Sequence, residues 1–190
     1  MAAKKAVQSP RERRVTKVLD AAQELFATRG YEATLVAEIA ESASVAPATI
    51  YNYFSTKPNL LMELALRHVR AALPERRMLL KNLPENPLQG IETFERLLAE
   101  QALRHLSREC WRTMMAAQIL EPRGPAARTG ARLNDLIKRQ YVQIIRTYQA
   151  CGPSGTIEDL LRVGLPHIAL ILRGLLLDKR SKPPRRMRME

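Results

Sequence analysis

Pro47, Ala48, Thr49, Tyr51, Asn52 and Tyr53 lie in one short run that ends at Phe54, with Lys57 three residues beyond. Helical spacing puts Ile50 and Phe54 on one side of this run and Thr49, Asn52 and Tyr53 on the other. Hydroxyl and amide side chains on such a face can pair with base edges, and an amine or phenol nearby suits phosphate oxygens. A face of this kind needs an element to hold it. Val36, Ile39, Ala40 and Ala43 recur at helical spacing just before it, and a tight connection through Ser44 and Val45 joins the two. Two short helices meeting at a sharp turn form a helix-turn-helix pattern, whose second helix enters the DNA major groove.

From Val18 to Leu61 the chain resembles the N-terminal domain of the TetR family of bacterial transcriptional regulators. The resemblance rests on AAQELFATRGYEAT and IAESASVAPATIYNYFSTKPNLL, with Ala22, Phe26, Gly30, Tyr31, Ile39, Ala40, Val45, Ile50, Tyr51, Phe54 and Lys57 as its spaced elements. Three positions depart from the usual pattern. Leu35 stands where a capping Thr is common, Ser44 where the turn usually has Gly, and Ala46 where a capping Ser is frequent. A lost side-chain cap costs roughly 0.5–2 kcal/mol. A non-Gly residue in a left-handed turn adds strain.

The resemblance implies an all-α fold, with an N-terminal three-helix helix-turn-helix domain followed by a larger helical regulatory and dimerisation domain. It implies a homodimeric repressor that places Pro47 to Tyr53 in the major groove of an inverted-repeat operator in double-stranded DNA. Ala48, Thr49 and Asn52 then lie nearest base edges, and Tyr51, Tyr53 and Lys57 match phosphate-contacting positions. A small apolar or amphipathic effector would reset the spacing of the two recognition helices.

Charge agrees with a polyanionic partner. The 190 residues hold 31 Lys and Arg against 19 Asp and Glu, a net +12. The excess is not concentrated on the motif, since residues 179–190 alone hold six Lys and Arg and one Glu. Lys4, Lys5, Arg11, Arg13, Arg14 and Lys17 do gather ahead of it, which suits backbone contacts beside the recognition helix. For Lys4 and Lys5 a solvated basic tail is the competing reading.

The elements that position the motif follow from local signals. Ser9-Pro10-Arg11-Glu12 joins a capping box to Pro at the first helical position. Val15, Val18, Leu19, Ala22, Leu25 and Phe26 continue as an apolar stripe, and Gly30 stands where a left-handed terminator belongs. Thr56 can cap the next helix with Pro58 in its first turn, and Leu60, Leu61, Leu64, Ala65 and Val69 lead toward Leu73. Pro74 is expected either to kink this helix or to end it before Glu75 to Leu83. These signals divide the chain at 1–57, a DNA-binding domain with a basic arm; 58–178, a helical ligand-binding and dimerisation domain; and 179–190, a basic tail.

From Leu88 onward every segment reads as helix. Ile91, Phe94, Leu98 and Ala102 define one; Trp111, Met114, Met115, Gln118 and Ile119 a shorter one; and Leu133, Leu136, Ile137, Tyr141, Ile144, Ile145 and Tyr148 a third, after a loop from Glu121 to Gly130. The last helix opens at Thr156 and is apolar nearly all round to Asp178, with Pro166 implying a kink and Gly164 and Gly174 allowing close approach. Burial on both sides calls for a partner. The resemblance assigns Ala131 through Asp178 to a four-helix dimer interface, with Leu136, Tyr141, Ile168, Leu172 and Leu175 at the contact. A central helix of a monomeric bundle is the competing reading.

Phe94, Trp111, Met114, Met115, Tyr141 and Tyr148 could line an effector cavity, with His105, Gln118 and His167 orienting the ligand. The bland alternative makes all of them ordinary core. Cys110 and Cys151 show no ligand spacing with the three histidines and read as reduced structural thiols, so neither a metal site nor a cofactor is expected. No apolar run reaches the ~20 residues of a membrane span, and the N-terminus lacks a secretory apolar stretch, so a cytoplasmic protein is expected. An enzyme is disfavoured by the lack of a nucleophile elbow, phosphate loop or HExxH run. The closer rival is a DNA-binding protein without an inducer, controlled by a protein partner or acting architecturally.

Overall fold

The structure, a computed structural model, describes residues 9–150, which form seven α-helices with no strand among them. The first, α1 (Pro10–Arg29), starts where the capping box places it. Ser9 Oγ accepts from Glu12 N at 3.2 Å, and Ser9 N donates to the Glu12 carboxylate at 2.7 Å. Its inner stripe of Val18, Leu19, Ala22 and Phe26 is buried, and it ends at Gly30 with φ of 85°.

The short helices α2 (Val36–Ser42) and α3 (Pro47–Phe54) follow. Neither Leu35 nor Ala46 supplies a side-chain cap, although Glu38 accepts from Leu35 N at 2.8 Å and so makes half of a capping box. Ser44 takes a φ of 55°, the left-handed conformation that the usual Gly adopts without strain. Helix α4 (Lys57–Lys81) is capped by Thr56 Oγ1, which accepts from Asn59 N at 3.2 Å.

Helix α4 runs unbroken through Pro74, so the expected termination there does not occur. The proline removes one backbone donor from an exposed turn, and packing on both sides of that turn outweighs the loss. Beyond it come α5 (Pro87–His105), α6 (Arg108–Leu120) and α7 (Pro125–Ala150). The connection expected from Glu121 to Gly130 is shorter than that. Pro125 opens α7, where a missing N–H is harmless, and Gly130 is buried within the helix where the Gln118 side chain crosses it.

Helix α4 is the central beam. Its first half packs against α1 and α3, and it also contacts α5, α6 and α7. One apolar cluster runs continuously from Val18, Ile39, Ile50 and Phe54 through Leu60 and Leu64 to Met114 and Leu133. A second joins Leu80, Ile91, Phe94 and Ile144. Each fully buried side chain of this kind stabilises by roughly 1.5–3 kcal/mol. The helix expected over Thr156 to Asp178, Cys151 and the tail from 179 lie outside the described residues, as do Lys4 and Lys5.

Candidate nucleic-acid interface and cavity

Burial of Ile50 and Phe54 anchors α3 and leaves Pro47, Ala48, Tyr51 and Asn52 exposed, with Thr49 partly so. This face matches the sequence expectation except at Tyr53. That ring is half-buried, meets Phe54 edge-on at 6.3 Å between centroids, and has the Arg11 guanidinium 5.7 Å from its centre. The contact sets the first turn of α1, with exposed Arg13 and Arg14, beside the end of α3. Lys57 is not a free arm either. Its Nζ lies 4.2 Å from the centre of the Tyr31 ring and donates to Glu32 O at 3.5 Å.

Two groups that sequence spacing did not single out brace this face. Asn59 Nδ2 donates to Phe54 O at 2.7 Å at the end of α3, while its Oδ1 accepts from Thr129 Oγ1 of α7 at 2.9 Å. Glu109, in the first turn of α6, accepts from Tyr31 N at 3.4 Å and Glu32 N at 3.2 Å. The loop between α1 and α2 is thereby held from α4 by Lys57 and from α6 by Glu109. Inside it, Thr34 is fully buried and donates to Gly30 O at 2.7 Å. The Glu109 links were hidden because their partners stand 77 or 78 residues apart.

On the other side of α6 lies a cavity of about 340 Å³, at the lower end of the range for small-molecule sites. His105, Trp111, Met114, Met115, Gln118 and Tyr141 line it, six of the nine residues expected there. Phe94 and Tyr148 do not. Phe94 packs edge-on against Tyr141 at 5.1 Å in the second cluster, and the Tyr148 hydroxyl donates to Pro84 O at 2.8 Å. His167 lies outside the described residues, as do Ile168, Leu172 and Leu175. Of the expected dimer-contact residues on α7, Leu136 packs half-buried against the main core, and Tyr141 turns to the cavity.

The cavity wall is mostly apolar. The Trp111 indole satisfies its own donor on Ala102 O at 2.8 Å and so presents carbon to the interior. His68 stacks on His105 at 4.4 Å, and its Nε2 is buried with no hydrogen-bond partner. Burial first, then electrostatic repulsion from the neighbouring His105 and Arg67, pushes its pKa down to about 4, so the His68 ring is neutral at pH 7. Burial also raises the Cys110 thiol, whose Sγ accepts from Ser107 Oγ at 3.4 Å, in keeping with an inert structural thiol. No group of three or more metal-ligating side chains occurs, and no helix is long and apolar enough to cross a membrane, among the described residues.

Comparison with known proteins agrees with this geometry. Residues 18–64 match the family model of bacterial regulatory proteins, tetR family. The HTH-type transcriptional activator FasR of Mycolicibacterium smegmatis is 36% identical over 77 residues, which cover 40% of this chain and 35% of that protein. The fatty acid metabolism regulator protein of Bacillus subtilis is 44% identical over 48 residues, 25% of each chain. The matches thus span about a third or less of these relatives' length. Among solved structures, the Thermus thermophilus TetR-family repressor FadR in complex with lauroyl-CoA has a TM-score of 0.59 at 24% identity, over 89% of this chain and 98% of that one. The fatty acid degradation regulator FadR of Bacillus halodurans has a TM-score of 0.55 at 17% identity, over 90% and 84%. At these identities the structures establish a common fold.

Proposed function

We propose that the chain, whose residues 18–64 match the TetR family model, is a homodimeric transcriptional repressor released from an inverted-repeat operator by a small apolar or amphipathic effector. The observation that carries this reading is the pairing of two sites on one helical beam. An exposed polar face on α3 stands over a buried anchor, and a lined cavity lies between α4, α5, α6 and α7.

Residues 1–57 bind DNA in this reading, 58–178 hold the effector and the dimer contact, and 179–190 form a basic tail. Thr49 and Asn52, with Ala48, read bases. Tyr51, Tyr53, Lys57, Arg13 and Arg14 meet phosphates, which set register rather than sequence. Lys57 must leave or share its perch on Tyr31 to do so. Effector in the cavity displaces α6 through Trp111 and Met115, and Glu109 at the start of α6 carries the shift to the loop that precedes α2. The lauroyl-CoA bound to the Thermus thermophilus protein favours this reading over control by a protein partner, because that protein shares the fold.

Selection from randomised duplex DNA tests it, followed by operator binding with and without a panel of apolar acids, alcohols and aromatics. An inverted repeat bound by a dimer, and weakened by one class of compound, is the expected result. A single half-site bound by a monomer would overturn it.

A further inference from the structure

Arg76 is a buried cation in the wall of the cavity, 2% exposed, with no carboxylate at ion-pair distance among the described residues. Its Nε donates to Gln101 Oε1 at 2.6 Å and its Nη1 to Gln140 Oε1 at 3.1 Å, both neutral amides. The Glu75 carboxylate acts on it from beyond ion-pair distance, bridged by Gln101, whose Nε2 donates to Glu75 Oε2 at 2.8 Å, and Glu75 itself pairs with Arg104 on the surface. Glu95 accepts from the Tyr141 hydroxyl and does not line the cavity. Burying a guanidinium without a carboxylate in direct contact is costly, and Arg has five donors to satisfy. Burial lowers its pKa to about 10, which leaves it charged at neutral pH.

The rest of the lining points the same way. Exposed Lys138 joins Arg76, and no Asp or Glu lines the cavity among the described residues. Met62, Val69, Leu98, Trp111, Met114 and Ile137 make the apolar part of the same wall. His68 and Arg76 are eight residues apart on one helix, about 12 Å along its axis.

Resting on the effector-gated reading above, we propose that the cavity takes an amphiphile with a free carboxylate, its acid group on Arg76 and its apolar body running along α4 toward Trp111 and the His68–His105 pair. A planar guanidinium fork suits a carboxylate, and the ion pair forms in an apolar surround where it is strong. A thioester of the same acid has no anion at that end to meet Arg76.

Trp111 is the chain's single Trp and lies in the cavity wall, so its fluorescence reads binding directly. The full chain is titrated with decanoate, decanol and decanoyl-CoA, alongside the variants Arg76→Gln and Arg76→Lys. Decanoate is expected to bind roughly tenfold or more tightly than decanol. Arg76→Gln should bring the two within about threefold, and Arg76→Lys should retain part of the preference. The comparison of acid with alcohol on the parent protein stands even if Arg76→Gln fails to fold. Equal binding of decanol and decanoate overturns the inference, as does decanoyl-CoA binding as tightly as decanoate, or no binding by any of the three. Operator affinity separates the two proposals. Decanol binding equally and releasing DNA would leave an effector-gated regulator without this acid site, whereas decanoate held by Arg76 with DNA affinity unchanged would keep the acid site and remove the gating.

Discussion

Replacing Glu109 by Ala removes both hydrogen bonds between α6 and the loop from Gly30 to Thr34 while leaving the cavity wall and the α3 face in place. A hydrogen bond to a charged acceptor contributes roughly 1.5–3 kcal/mol at good geometry. Here the N–O distances are 3.4 and 3.2 Å and the carboxylate is partly exposed, so about 1–2 kcal/mol for the pair is the reasonable magnitude. Coupling between two sites is typically about 1–3 kcal/mol, so this contact can carry most of it. The variant should therefore lose roughly 5- to 30-fold of the factor by which effector weakens operator binding. The assay is operator binding by fluorescence anisotropy, with and without saturating decanoate, paired with decanoate titrations of Trp111 fluorescence with and without operator. Linkage requires both factors to fall together. Glu109→Gln, which keeps the shape but not the charge, should lie between Ala and the parent. If Glu109→Ala lowers thermal stability but leaves the release factor unchanged, the contact is merely structural and coupling runs elsewhere, with the Thr129–Asn59–Phe54 chain as the other connection.

Ser44→Gly should raise Tm by about 1–4 °C, because relief of the left-handed strain at φ of 55° exceeds the extra unfolded-state entropy of Gly; a melting scan showing a lower Tm would contradict this. His68 should make the fold acid-sensitive between its ordinary pKa of 6.5 and about 4. In that window the unfolded chain binds a proton that the folded one refuses, so stability falls as pH falls, by on the order of 1 kcal/mol at pH 5 once partial exposure is discounted. Urea melts of His68→Phe should show a flatter pH dependence there than the parent. Asn52→Ala and Thr49→Ala should relax base preference by roughly 1–3 kcal/mol at single positions, whereas Tyr51→Phe should weaken all duplexes alike, as competition binding on matched and mismatched sites would show. Lys57→Ala should lower the salt slope by about one per subunit and also lower Tm, since Lys57 holds the Tyr31 loop.

What the amino-acid sequence determined by itself is the set of features made by residues three or four apart. The Ser9–Glu12 box, the Thr56 cap and the stripe from Val18 to Phe26 are satisfied within one or two turns, so their spacing carries their outcome. The same holds for Ile50 and Phe54, which define the outer face of α3 by pointing the other way. Tertiary structure decided what depends on where separate helices cross. Pro74 and Gly130 look like breaks in isolation, yet both continue a helix, because contacts from other elements outweigh a weak local preference. Phe94 and Trp111 are both large apolar residues at helical spacing. Only the crossing of α5, α6 and α7 over α4 sends one into a filled core and the other to a cavity wall. Arg76 and Glu109 are ordinary surface charges by sequence. Each acquires its meaning from partners 25 to 78 residues away, a separation over which neither periodicity nor capping carries a signal.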